Sequence, residues 1–189
     1  MRQGEINALL VALARRGLRV VRLKGGDPYI FGRGREEAEY LIEHGVRCEV
    51  IPGITSASAA ACYGGIPLTH RDYAQACVFV TGHLRAGKAD DCRLDWVALA
   101  RPNQTVVIYM GLGALDTICA GLIAHGRDPA TPAAIVERAS TPQQRVIVGT
   151  LADLSSQAIA ANAKPPALII VGEVVALRAR LTAAMTHPL

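Results

Sequence analysis

What most constrains the fold of this chain is an alternation that starts near residue 19 and runs to residue 171. Short runs rich in Val, Ile and Thr are spaced by amphipathic segments of helical period. The β-branched runs predict strands over 19–23, 47–51, 75–81, 105–110, 133–137, 145–148 and 167–171. Apolar spacing predicts helices over 5–17, 35–44, 55–62, 94–100, 114–125 and 151–161. Parallel strands need long crossovers and helices supply them, so the expectation is an α/β chain with mostly parallel sheets. Residues 133–148 are the exception, because two strands joined only by "RASTPQQ" predict an antiparallel excursion. Pro and Asn in "ARPNQT" break the pattern near residue 102 and predict two domains, 1–102 and 103–189. A doubly wound domain opens on a strand and its ligand turn, whereas this chain opens on a helix, so the first domain reads as incomplete.

Composition narrows the function classes. Of 189 residues, 51% are hydrophobic and 19% charged, which is a folded, globular balance. The net charge of +4 comes from dispersed Lys and Arg, and aromatic residues make up only 4%; this fits an anionic small ligand better than a nucleic acid. No apolar run approaches the ~20 residues that span a bilayer, and no leader pattern precedes residue 10, so a cytoplasmic protein is expected. Cys48, Cys62, Cys77, Cys92 and Cys119 are far apart and form no metal-ligand spacing, so they read as reduced thiols and no metal is expected.

Three stretches carry candidate chemistry. "VRLKGGDPYIFGRG" runs from a strand into Gly25, Gly26 and Asp27; such a turn either admits a ligand to the main chain or simply makes a tight corner. A GxxxxGK-type phosphate loop is absent, and no helix follows directly to direct its dipole at a phosphate. "VVIYMGLGALD" resembles the start of a GxGxxG turn, but Asp116 stands where the third glycine belongs; Met110, at the strand end, offers a soft wall to a pocket or fills core. "PGITSASAAACYGG" places the hydroxyls of Thr55 and Ser56 near a helix start, where capping is the simplest role. The "THRD" that follows sets His70 and Arg71 in a loop where they meet substrate carboxylates or solvent. The chain has no GxSxG, no HExxH and no paired carboxylates on one helical face, so these residues alone assign no reaction.

The stretches "VVRLKGGDPYIFGRGREE", "VIPGITSASAAACYGGIPLTHRDYAQACVFVTGHL", "LDWVALARPNQTVVIYMG", "QQRVIVGTL" and "PPALIIVGEVVALR" together resemble the tetrapyrrole methylase family, and within it the enzymes that methylate uroporphyrinogen III. The resemblance implies a two-domain fold with a cleft for S-adenosylmethionine between its domains, and a homodimer. The implied reaction is C-methylation of uroporphyrinogen III at C2 and C7, giving precorrin-2 and S-adenosylhomocysteine on the way to sirohaem and cobalamin. By motif, the implied cofactor contacts are Gly25, Gly26, Asp27, Ile30, Thr55, Ser56, Met110 and Ala139, the last where relatives often carry glycine. Arg22, Arg33, His70 and Arg71 are the expected partners of the substrate's carboxylates.

The departure from the family pattern lies at the start. Relatives open with a strand, a "GAGPGD"-like loop that joins the cofactor site, and a following segment with an acidic residue and a lysine proposed for proton transfer. The similarity here begins downstream of these, so the proton-transfer residues are expected upstream of Met1. A four-residue expansion at "RAGKADDC" is a smaller departure. Two alternatives stay open: a non-catalytic cofactor-binding or dimerisation fragment, and a sibling methylase acting on a later corrin.

Overall fold

The structure, a computed structural model, describes residues 1–82 and 94–184. The whole "RAGKADDC" expansion, Cys92 included, lies outside the described residues. The chain divides into two compact units, Met1–Thr55 and Ser56–Leu189. The boundary expected near residue 102 falls inside the second unit, where strands from either side of it pair with each other.

The first unit carries two helices, α1 (Gln3–Arg15) and α2 (Gly34–Glu43), which pack together. Glu5 starts α1 by reaching back to accept the Arg2 amide at 2.8 Å, as an acidic residue in a first turn does. The segments 19–23 and 47–51, expected as strands, belong to no ladder among the described residues. A β-rich sequence marks side chains that suit a half-buried pleated surface, whereas here Val21 and Leu23 are each 83% exposed.

The second unit holds one sheet of five strands: β1 (Ala76–Thr81), β2 (Gln104–Tyr109), β3 (Pro132–Glu137), β4 (Arg145–Thr150) and β5 (Ala167–Val171), in spatial order β1-β2-β5-β3-β4. Its helices are α3 (Ser56–Gly64), α4 (Trp96–Leu99), α5 (Leu115–Ala124), α6 (Leu154–Ala160) and α7 (Arg178–Ala184). The α/β class and most element positions match the sequence reading, but strand direction does not. Only β1 and β2 pair in parallel; β5 runs antiparallel to both β2 and β3, and β3 antiparallel to β4. The helix-linked strands do run the same way, as crossovers require: β1 with β2, β2 with β3 across α5, and β4 with β5 across α6. The β3–β4 hairpin reverses direction once, and β5 then inserts between β2 and β3, so each of its ladders is antiparallel.

The interior strands β2 and β5 are buried on both faces, with Val106, Val107, Ile108, Ile169 and Ile170 at most 1% exposed. Ile118 and Leu122 of α5 and Leu154 of α6 close one side of this core. Arg127, itself buried, donates to the carbonyls of Arg101 and Gln104 and to the Thr131 hydroxyl, so the turns at that end of the sheet share one guanidinium. Burial lowers its affinity for a proton, with Glu173 opposing.

Candidate functional site

In the first unit, the expected contacts cluster on one corner. The Asp27 carboxylate accepts the Tyr29 amide at 2.8 Å and the Gly53 amide at 3.1 Å. The Gly53 bond is the larger influence and, with Tyr29, it holds the Asp27 carboxyl below the usual carboxylate range. Gly26 is left-handed (φ +91°), and a Cβ on Gly53 would lie 2.4 Å from the Gly26 carbonyl oxygen, so only glycine lets these two backbones meet. The turn closes downstream as the Gly34 amide donates to the Pro28 carbonyl at 2.8 Å. Asp27 is therefore committed to shaping its own loop. The open positions beside it belong to Gly25, around which nothing lies within 4 Å of a would-be Cβ, and to the half-buried Ile30. Thr55, also in this unit, is buried.

Behind that corner stands a residue that sequence reasoning missed. Glu37 is 4% exposed, and its Oε1 accepts Gln3 Nε2 and Lys24 Nζ, each at 3.0 Å, and Arg22 Nε at 3.3 Å. Burial pushes its carboxyl up, but the bonds from Gln3 and Lys24 and the charges of Lys24 and Arg22 outweigh this and hold it below the ordinary range. The cluster fixes Lys24, the residue before Gly25, onto α1 and α2. Arg22, expected to meet substrate, spends its guanidinium on Glu37 and on the Leu23 carbonyl at 2.7 Å. Arg33 forks onto Glu36 at 3.0 and 2.7 Å in an exposed pair, which leaves it at the surface.

In the second unit, Ser56 opens α3 and is exposed, while Met110 leaves the end of β2 with φ +54° and 54% exposure. Gly111 explains that exit: a Cβ there would come within 2.7 Å of the Ile108 side chain, so the chain turns tightly and Met110 stands clear of the core. Tyr109, just before it, is buried, and its hydroxyl accepts the Ala57 amide at 3.1 Å. Ala139 sits between the left-handed Arg138 and Ser140 in the turn after β3. That turn hangs on buried Glu137, which takes hydrogen bonds from Arg145 across the ladder and from the Lys164 amide; the Arg145 bond does most to keep its carboxyl below the ordinary range. His70 Nδ1 accepts the Asp72 amide at 3.1 Å, so its neutral form carries the proton on Nε2. Its ring packs on Tyr73 at 4.8 Å, and the adjacent Arg71 is exposed.

No one of Glu37, Glu137 and Tyr109 could have been picked out by periodicity, since their importance lies in partners 8 to 52 positions away. A groove of about 450 Å³ beside α5 and α6, lined by Leu112, Asp116, Ser155, Ile159 and Asn162, contains none of the expected site residues. Among the described residues no group of three or more His, Cys, Asp or Glu could hold a metal, and no helix is long and apolar enough to cross a membrane.

The family model for tetrapyrrole (corrin/porphyrin) methylases matches residues 1–155. The chain belongs to the tetrapyrrole methylase family. It is 59% identical over 181 residues to the siroheme synthase of Nitrosospira multiformis, covering 96% of this chain and 38% of that protein. It is also 59% identical over 179 residues to the siroheme synthase of Pseudomonas putida strain W619, with 95% and 38% covered. The chain thus spans well under half the length of these relatives. Among solved structures, the Thermus thermophilus uroporphyrin-III C-methyl transferase complexed with S-adenosylhomocysteine matches at 44% identity and a TM-score of 0.79, over 93% of this chain and 75% of that one. A cobalt precorrin-4 methyltransferase matches at 25% identity and a TM-score of 0.82. Within the family, then, this chain is a methyltransferase-type α/β polypeptide whose near relatives act on tetrapyrroles.

Proposed function

We propose that the chain contributes S-adenosylmethionine-dependent C-methylation of uroporphyrinogen III at C2 and C7, the step that gives precorrin-2 and S-adenosylhomocysteine. The strongest support is the match to a relative solved with S-adenosylhomocysteine, at 44% identity over 93% of the chain. Within the first unit, the proposed cofactor contacts are Gly25, Gly26, Asp27, Ile30 and Thr55; within the second they are Ser56, Met110 and Ala139. The residues suit such a ligand chemically: an open main-chain turn at Gly25, an exposed hydroxyl at Ser56 and an exposed, polarisable thioether at Met110, with no phosphate cradle. When bound, the cofactor supplies an electrophilic methyl on a sulfonium.

The chain's own residues would act by placement. Asp27 holds the Gly25–Gly26 turn in shape rather than binding through a free carboxylate, and Met110 is presented by a tight glycine turn. Positioning and exclusion of water contribute most where a carbon nucleophile meets a sulfonium methyl, since charge is dispersed as they react. Arg71 and His70, the latter with its Nε2 proton directed away from its own loop bond, are the better placed partners for substrate carboxylates. Arg22 and Arg33 would first have to leave Glu37 and Glu36.

The test is turnover with uroporphyrinogen III and, separately, precorrin-2 as acceptors. Two methyl transfers to the first and none to the second support the reading; methylation of precorrin-2 alone identifies a sibling enzyme. A second reading, a binding or assembly part without chemistry of its own, is favoured by Val21, Leu23, Ile51 and Ile54, each at least 67% exposed in the first unit. Precorrin-2 formation by this chain alone would exclude it. Self-association into a homodimer, also proposed, is measurable by sedimentation.

A further inference from the structure

We propose that Tyr109 is a positioning residue for the methyl donor: through the Ala57 amide it fixes α3, and α3 in turn sets the spacing of Ser56, Met110 and Ala139. The inference rests on the reading that these three meet S-adenosylmethionine.

The first amides of a helix have no partner within the helix and need an acceptor from elsewhere. For Ala57 that acceptor is the Tyr109 phenol oxygen at 3.1 Å, supplied from 52 positions away. Tyr109 is itself rigid, paired in the ladder with Thr81 on one side and Leu168 on the other, and only 6% exposed. Ser56 precedes Ala57 and Met110 follows Tyr109. One hydrogen bond therefore joins the immediate neighbours of two proposed contacts.

The other end of α3 is tied to the third. Gln144 donates from Nε2 to the Tyr63 carbonyl at 2.8 Å, and its Oε1 accepts the Ser140 amide at 2.9 Å, next to Ala139. Between its ends α3 buries Ala57 and Ala60 completely, and a Cβ on Gly64 would touch Val136 at 3.5 Å. A helix of such small residues lies close to what it packs on and has little slack. Phenylalanine would fill the space of Tyr109 equally well, so the hydroxyl is needed for the Ala57 amide and not for packing.

The test compares Tyr109→Phe with Leu154→Ala, a fully buried change in α6 that lowers stability away from α3. Calorimetric titration with S-adenosylhomocysteine and thermal midpoints are measured on each. Tyr109→Phe is expected to weaken binding about tenfold, as loss of one buried acceptor implies. Leu154→Ala is expected to lower the midpoint at least as far while binding within twofold of the native chain. Binding by Tyr109→Phe within twofold of native overturns the proposal, as does an equal loss in Leu154→Ala, which would make the role merely structural. If Tyr109→Phe does not fold, Gln144→Leu, which cuts the tie at the other end, is judged by the same criteria. Absence of binding by the native chain overturns the cofactor reading and this inference together, which separates that failure from the others.

Discussion

Replacing Glu37 by alanine should loosen the first unit more than any other single side-chain change in it, and the size of the effect follows from its three partners. The carboxylate is 4% exposed, and the Lys24 and Arg22 side chains are 14% and 39% exposed. Removing one member of a buried ion pair strands the other charge and costs about 3–5 kcal/mol. Lys24 can recover some hydration, and the Arg22 pair, more than a third exposed on one side, adds at most about 1 kcal/mol. The expected loss is therefore about 2–4 kcal/mol. Glu37→Gln keeps an acceptor for Gln3 and Lys24 but turns charge-assisted bonds into neutral ones, for a loss of roughly 1–2 kcal/mol. Because the chain forms two compact units, a single unfolding free energy is not well defined, and native-state amide exchange along α1 and α2 is the proper assay. At about 1.4 kcal/mol per tenfold, α2 amides should exchange roughly 30- to 700-fold faster in the alanine variant and about tenfold faster in the glutamine variant. Less than a threefold change in Glu37→Ala, or equal changes in both variants, would refute the view that paired charge holds this corner.

Three further outcomes are expected. Gly53→Ala places a Cβ 2.4 Å from the Gly26 carbonyl, a backbone contact that no rotamer relieves; it should cost about 1–3 kcal/mol and weaken S-adenosylhomocysteine binding, and native-like affinity by titration would contradict the corner as drawn. Glu37 and Glu137 both have folded-state carboxyls below the ordinary value of 4.5, so the stability they confer is complete above about that pH and is lost as pH falls through their lower folded values. Glu137→Gln should accordingly destabilise the chain at pH 7 and much less at pH 3, and a pH-independent penalty in denaturation series would count against the Arg145 pair as its source. Burial pushes the Cys77 thiol up to about 11, and burial with a smaller contribution from Asp116 does the same to Cys119, while Cys48 and Cys62 are exposed. Among these four cysteines, alkylation at pH 8 followed by peptide mass analysis should therefore label Cys48 and Cys62 first. Comparable early labelling of Cys77 or Cys119 would contradict their burial.

What could be read along the chain was whatever depends on neighbours in sequence. Apolar period located α1, α2, α5 and α6, β-branched runs located all five strands of the sheet, and the short "RASTPQQ" link marked the antiparallel hairpin. Strand direction elsewhere depends on β5 inserting between β2 and β3, a choice made by contacts 30 to 65 positions apart that no local pattern encodes. The same division runs through the candidate site. Glycines and Asp27 announced a special turn, but whether that turn was a corner or a ligand surface could not be separated; the structure shows the corner, in whose making Asp27, Gly26 and Gly53 are engaged, and leaves Gly25 open. Arg22 shows the converse, because its charge suggested an external anion while its nearest anion is internal. A charged residue in a sequence reveals what it could bind; only its burial and partners show whether that capacity is already spent. By this criterion Gly25, Ser56, Met110, His70 and Arg71 are among the proposed contacts whose groups are not already spent, whereas Glu37, Glu137 and Tyr109 would fix the places from which such groups act.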